Sequence, residues 1–194
     1  RNWVISTRPR IESTIAKYGT LIEKPEALTN FLLSQMSLES DYGQFGEGRP
    51  EIEQGITAKK ANNYLGMHST AQDSPQTLSG GPSYLVTKSG TAKLKAFSPD
   101  SAIEKNVDEY INLMLEDKRY NPMKDAFKSA KSVDDYIKAI GETPYNKSPE
   151  DYVIDLSKVY SDYILPNIQI NKQSNRLFKS SARPREENFL KGTI

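Results

Sequence analysis

The chain has 194 residues, of which 36% are hydrophobic and 26% are charged. These proportions are those of an ordinary globular domain, and the length is sufficient for one domain with a sizeable core. A formal charge of +1 gives no case for nucleic acid as the main partner, and the absence of cysteine excludes a disulfide framework and a thiolate metal site. His68 is the single histidine, so neither a zinc site built from histidines nor a histidine-based catalytic triad is expected.

The termini suggest a domain from a longer polypeptide. Residues 1–10 lack the apolar core of a signal peptide, and the sequence contains no run of about eighteen apolar residues that could span a membrane. Beyond Pro166 the composition shifts to Asn, Gln, Ser, Lys and Arg. We therefore predict three parts: an N-terminal extension at 1–24, a folded domain at 25–165, and an extended C-terminal tail or linker at 166–194.

The first strong helix prediction begins at Pro25 and ends at Gly43. A short leading helix is predicted before it, from Glu12 to Glu23. Proline suits the first turn of a helix and glycine its end. Apolar spacing predicts an inward stripe made of Leu28, Leu32, Gln35 and Glu39.

The unusual member of this stripe is Glu39, a carboxylic acid where an apolar side chain is expected. Burial and the negative end of the helix dipole both disfavour the ionised form, so the pKa of Glu39 is expected to be raised. A carboxylic acid that stays protonated near neutral pH can protonate the leaving oxygen of a sugar. The alternative is that Glu39 lies at a frayed helix end and reaches solvent.

The middle of the chain predicts a β-hairpin. Two short runs rich in strand-forming residues, Tyr84–Thr87 and Ala92–Phe97, flank the turn residues Lys88–Thr91.

The remainder of the domain is predicted to be helical. Helices are expected to begin at Ser101, Ser132 and Ser148, the first two with capping boxes completed by Glu104 and Asp135. The last helix is expected to end near Pro166. The fold class is mainly α (α+β), a helical domain with one small β-hairpin.

Residues Leu38–Gly43 resemble the Leu-Glu-Ser-Gly-Trp-Gly signature of the peptidoglycan-cleaving N-acetylglucosaminidase family. This family includes flagellar-muramidase, autolysin and Bax-like glucosaminidase domains. Further similar segments follow in the family's order, so that the resemblance covers roughly residues 26–165: Asn63–Met67, Lys93–Pro99 with Ser101 and Tyr110, Arg119–Tyr120, and Tyr145–Tyr152.

The resemblance implies a lysozyme-like helical domain in which the β-hairpin lobe forms one wall of a groove. It implies that Glu39 is the general acid, and that the groove residues that bind the sugar are Asn63, Tyr64, Tyr145 and Tyr152. The alternative for Asn63, which precedes a glycine-containing turn, is that it only caps the local backbone. The implied substrate is the glycan strand of bacterial peptidoglycan, cleaved next to N-acetylglucosamine without a metal or an organic cofactor.

The sequence departs from the family at the second catalytic group. Many members carry a further acid just before the hairpin turn, whereas Tyr84–Thr87 contains none. Other candidates for the second carboxylate are Glu47, Glu51, Glu53 and Asp73. Alternatively, the N-acetyl oxygen of the substrate attacks the anomeric carbon, and one protein acid is sufficient.

Two further functions stay open at this point. One is a muramidase or lytic transglycosylase of the same fold. The other is a wall-binding or structural module that has lost catalysis, for example in a phage virion, where the terminal tails would contact other virion or envelope proteins. The expected location is therefore the bacterial cell envelope, the extracellular space or a phage virion.

Overall fold

The computed structural model describes residues 2–44, 58–67, 84–86 and 93–181. The predicted second carboxylates Glu47, Glu51, Glu53 and Asp73, and the single histidine His68, lie outside these residues. Within the described ranges, seven helices follow one another: α1 Asn2–Ile15, α2 Pro25–Ser40, α3 Ala102–Glu116, α4 Asn121–Ser129, α5 Val133–Gly141, α6 Pro149–Val159 and α7 Leu165–Ser181. A single helical turn occupies residues 58–61.

The prediction of a mainly helical fold with one β-hairpin is confirmed. Strands β1 (Tyr84–Val86) and β2 (Lys93–Lys95) pair antiparallel, with Tyr84 opposite Lys95. In the part of the chain that the structure describes, no helix is long and apolar enough to cross a membrane.

Helix α2 lies at the centre of the helical core. All residues from Leu28 to Ser37 are buried, and the predicted stripe residues Leu28, Leu32 and Gln35 have no exposed surface. The helix packs against α1, α5 and α6. A helix that is buried on all sides needs partners for its polar side chains, and the hydroxyls of Ser34 and Ser37 donate to carbonyl oxygens one turn earlier.

Helix α1 begins earlier than predicted. It runs from Asn2 to Ile15 and continues as a 3₁₀ helix over Ala16–Leu21, whereas the sequence predicted a helix from Glu12 to Glu23. Val4, Ile11 and Ile15 are at most 1% exposed and belong to the same hydrophobic cluster as α2. Their spacing extends the apolar face across Pro9, which is exposed. Residues 2–22 are therefore part of the core rather than an extension beside it.

One of the two predicted capping boxes is present. At the start of α5 the Ser132 hydroxyl accepts from the backbone of Asp135, and the Asp135 carboxylate accepts from the backbone of Ser132. Ser101 precedes α3 but makes no capping bond, so that prediction is wrong. The Glu104 carboxylate instead accepts two bonds from the Arg10 guanidinium, at 2.7 and 2.6 Å, because the planar fork matches both carboxylate oxygens.

The prediction that the last long helix ends near Pro166 is also wrong. A π-helical turn, Tyr160–Ile164, joins α6 to α7, and the Leu165 N–H donates to the Tyr160 carbonyl five residues earlier. Pro166 then lies in the first turn of α7, where its missing N–H removes no helical bond. Helix α7 continues to Ser181 in place of the expected extended tail, and Ile168 joins the core.

Candidate active site

The Glu39 carboxyl lies where the end of α2 meets the start of α6. Helices α2 and α6 pack against each other, which brings Glu39 to Tyr152 in the first turn of α6. The Tyr152 hydroxyl donates to Glu39 Oε1 at 2.6 Å. Tyr152 is 5% exposed, whereas Glu39 is half-buried. The carboxyl is thus fixed by a buried partner.

The pKa of Glu39 is raised above that of an ordinary glutamate. Burial of the carboxyl raises it, and the hydrogen bond from Tyr152 lowers it by less. Glu39 also lies in the last turn of α2, where the helix dipole disfavours negative charge. The raised pKa agrees with the expectation from the sequence.

Tyrosine rings surround this carboxyl. The Tyr145 and Tyr152 ring centroids are 5.7 Å apart, and Tyr110 of α3 meets Tyr145 edge-on at 5.9 Å. Burial raises the pKa of all three phenols well above the usual value, so each is neutral near pH 7. The hydroxyl of Tyr145 donates to the Leu65 carbonyl at 2.6 Å, while its ring stays half-buried. The structure therefore brings the predicted residues Tyr145 and Tyr152 together with Glu39.

Asn63 has a structural role instead of the predicted place in a sugar-binding groove. It is 1% exposed, and its amide donates to the carbonyls of Met67 and Lys95 at 2.8 and 3.0 Å. Its side-chain oxygen accepts from the Met67 N–H. Both amide hydrogens are donated to backbone carbonyls. Asparagine side chains commonly form such bonds in loops, where they take the place of a backbone N–H or C=O partner. This geometry gives no support to Asn63 as a ligand for an acetamido group.

A second buried asparagine, Asn106 of α3, holds the same loop against the helical core. Its side-chain oxygen accepts from the Tyr64 and Leu65 N–H groups, and its amide donates to the Asn62 carbonyl. The loop so fixed places Gly66 beside Glu39: a Cβ at Gly66 would lie 3.2 Å from Glu39 Oε2.

Asn106 and Gly66 were not predicted as site residues. The signal for Asn106 was its place next to Val107 in the apolar stripe of α3, where a polar side chain must find buried partners.

The turn after Glu39 has an unusual backbone. Asp41, Tyr42 and Gly43 have φ values of +50, +56 and +82°, in the left-handed region that non-glycine residues rarely adopt. The Tyr42 ring lies edge-on against Tyr163 of the π turn at 4.3 Å, and the Trp3 indole of α1 contacts Gly43. Strain of this kind persists only where the surrounding structure enforces it. Both ends of the described chain therefore hold the end of the helix that carries Glu39.

Tyr64, the remaining predicted sugar ligand, packs against Leu94, and its ring centroid is 6.4 Å from that of Trp3.

A cavity of about 560 Å³ between α4 and α5 is lined by Asn121, Lys131, Asp135, Lys138 and Glu142 among others, and includes none of the predicted site residues.

Comparisons with protein-family models, curated proteins and solved structures gave no match to this chain.

Proposed function

We propose that this protein hydrolyses the glycan strand of bacterial peptidoglycan next to N-acetylglucosamine, with Glu39 as the general acid. The observation that supports it best is the half-buried Glu39 carboxyl, whose pKa burial raises and whose Oε1 is held at 2.6 Å by Tyr152. An acid of this kind is protonated closer to neutral pH than a surface glutamate and is already oriented, which are the two requirements for general acid catalysis.

In the proposed reaction, Glu39 gives its proton to the glycosidic oxygen while the bond from that oxygen to the anomeric carbon breaks. The bond's electron pair goes to the leaving oxygen, and positive charge develops on the sugar ring. Either a carboxylate, from Glu47, Glu51, Glu53 or Asp73, or the substrate's own acetamido oxygen stabilises this charge. Water then adds its hydroxyl to the anomeric carbon, and its proton goes either to that second carboxylate or back to Glu39, which ends the cycle protonated again. The Tyr145 ring offers an aromatic face for a sugar.

The choice of peptidoglycan depends on the ordered resemblance around Glu39, and the lysozyme-like arrangement of a groove between helical and β lobes is part of the same proposal. A muramidase or lytic transglycosylase would use the same acid on a neighbouring bond. The second candidate function is a wall-binding module without catalysis. The observation that favours it is that the hairpin lacks the family's acid.

The test is release of soluble fragments from purified peptidoglycan by the wild-type chain and by Glu39→Gln. The matched control is Glu116→Gln, because Glu116 also ends a helix but is exposed. We expect Glu39→Gln to lower the rate by roughly 10²-fold or more and Glu116→Gln to leave it unchanged.

Mass spectrometry of the new ends identifies the bond. Reducing N-acetylglucosamine ends support the glucosaminidase, reducing muramic acid ends the muramidase, and anhydro-muramic acid ends the transglycosylase. Co-sedimentation with peptidoglycan in the absence of any release by the wild-type chain would overturn the enzymatic proposal in favour of the binding module.

A further inference from the structure

Gln35 is a buried polar residue on α2, one helical turn before Glu39, that the proposed function does not use. It has no exposed surface. Its Nε2 donates to the Tyr152 hydroxyl oxygen at 3.1 Å, and that hydroxyl donates to Glu39 Oε1 at 2.6 Å. The three side chains form a chain of hydrogen bonds that runs in one direction, from the amide to the carboxyl.

This direction determines which oxygen of Glu39 carries the proton. A phenol has one proton, and while its oxygen accepts from Gln35, that proton points to Glu39 Oε1. Oε1 is then an acceptor both when Glu39 is ionised and when it is protonated. The acid proton is left to Oε2, the oxygen that lies beside Gly66.

Without the Gln35 donor, the opposite direction becomes possible. Protonated Glu39 could then donate from Oε1 to the oxygen of Tyr152, which would turn the acid proton toward the protein interior. The proton would be held in an internal bond instead of on the oxygen at the loop.

We propose that Gln35 is a positioning residue which, through Tyr152, keeps the acid proton of Glu39 on Oε2. The proposal deepens the proposed function and rests on it for its catalytic meaning, although the position of the proton can be measured without substrate.

The surroundings of Gln35 agree with this role. Its Oε1 and the Tyr110 hydroxyl are both buried without a partner at hydrogen-bonding geometry. Burial raises the pKa of both Tyr110 and Tyr145, and the Gln35 side chain lowers each pKa by less, which places both phenols near Gln35. A buried acceptor without a well-formed hydrogen bond destabilises the fold, so a polar side chain at this position is disfavoured unless its amide is needed.

The groups that act on Glu39 from the neighbouring elements are phenols: Tyr152 of α6, Tyr145 before α6 and Tyr110 of α3. They are neutral near pH 7. The hydrogen bond from Tyr152 is the contact that stabilises the carboxylate, so a change in that bond appears directly in the titration of Glu39.

The experiment follows the side-chain carboxyl ¹³C signal of Glu39 against pH in the full chain, assigned by its loss in Glu39→Gln. The test variant is Gln35→Met, which keeps a similar volume without a donor, and Gln35→Leu is a second substitution. Urea unfolding verifies that each variant folds. We expect Glu39 to titrate at higher pH in both, because a Tyr152 hydroxyl that Gln35 no longer orients stabilises the carboxylate less. The control Gln169→Met, at an exposed position of α7, should leave the titration unchanged.

A double-mutant cycle separates this role from core packing. Tyr152→Phe alone should raise the pH at which Glu39 titrates, and adding Gln35→Met to it should not change that pH further. An unchanged titration in folded Gln35→Met and Gln35→Leu, or an equal change with and without the Tyr152 hydroxyl, would overturn the inference. If the chain cleaves peptidoglycan, Gln35→Met should lower kcat roughly tenfold with KM little changed. If the chain has no hydrolytic activity but Glu39 still titrates at higher pH in the Gln35 variants, the inference is supported while the proposed function fails.

Discussion

At the scale of single residues, the Glu39 carboxyl makes the stability of the fold depend on pH. Burial raises its pKa in the folded state, so the folded chain binds its proton more tightly than the unfolded chain. The stability associated with this proton is fully present below the unfolded pKa and is lost as the pH rises through the folded pKa. Ionised Glu39 therefore destabilises the folded state.

Glu39→Gln is expected to remove this dependence. The variant should gain stability relative to wild type as the pH rises from the pKa of an ordinary glutamate through the raised pKa of Glu39, because the amide never ionises. The measurement is the free energy of unfolding in urea at a series of pH values, with Glu116→Gln as the exposed control. A difference between Glu39→Gln and wild type that stays constant with pH, or grows toward acid, would show that the pKa is not raised.

Some residues of the site could be predicted from the sequence around them, and others could not. Glu39 was predictable because an acid interrupts an apolar stripe, and the resemblance indicated Tyr145 and Tyr152. Two of the three hydrogen bonds of the Asn63 side chain go to Met67 four residues later, which agrees with the alternative that Asn63 caps the local backbone. The third, to the carbonyl of Lys95 thirty-two residues away, involves a partner that a sequence pattern at 63–67 does not identify.

At the scale of elements, the turn that ends α2 depends on a contact from α1. A Cβ at Gly43 would lie 2.6 Å from Trp3 Nε1, and the residue has a φ of +82°. Gly43→Ala should therefore cost both the left-handed backbone penalty, about 1–2 kcal/mol, and displacement of the indole, about 1–3 kcal/mol. Gly19 also has a positive φ, +52°, with nothing within 4 Å of its Cβ position, but its ψ of −124° is a different backbone conformation. The contribution of the indole is therefore separated by removing Trp3 and not by comparing the two glycines directly.

Urea unfolding of the two alanine variants measures these costs. We expect the cost of Gly43→Ala to fall by about 1–3 kcal/mol in a Trp3→Ala background, where the clash is gone, and the cost of Gly19→Ala to be the same in both backgrounds. A Gly43→Ala cost that does not change when Trp3 is removed would mean that Trp3 does not constrain the turn behind Glu39.

Helix boundaries were predicted correctly where the capping residues are close in sequence, and wrongly where a residue distant in sequence binds one of them. Ser132 and Asp135 cap α5 with each other, so the motif alone was sufficient. Glu104 had the same spacing from Ser101, but Arg10 of α1 takes its carboxylate. Pro166 would interrupt a regular α-helix, which is why a helix end was predicted there. The π turn just before it, Tyr160–Ile164, lets the helix continue instead.

At the scale of the whole molecule, three of the described helices, α1, α5 and α6, pack against α2. A helix buried on every side must be enclosed by elements from both directions along the chain, here α1 before it and α5 and α6 after it. The hydrophobic pattern of α2 predicted that it would be buried, but the pattern does not identify the helices that cover it. This is why residues 1–24 were assigned to an extension.

If α1 belongs to the core, it unfolds together with the rest of the chain. Trp3 of α1 is the only tryptophan, so its fluorescence reports on α1, while far-UV circular dichroism reports on all helices. The two urea transitions should coincide, as expected for a single cooperative unit.

Substitutions within α1 measure how much its burial contributes to the free energy of unfolding. Ile11 is fully buried and Ile5 is 38% exposed on the same helix. Ile11→Ala should cost about 2–5 kcal/mol and move the fluorescence and dichroism transitions together, because the cavity lies in the shared core. Ile5→Ala should cost much less, since its side chain already contacts water. If Ile11→Ala instead lowered only the fluorescence transition, α1 would be a separately unfolding segment. The contact between Trp3 and Gly43 would then be lost while α2 and Glu39 stayed folded.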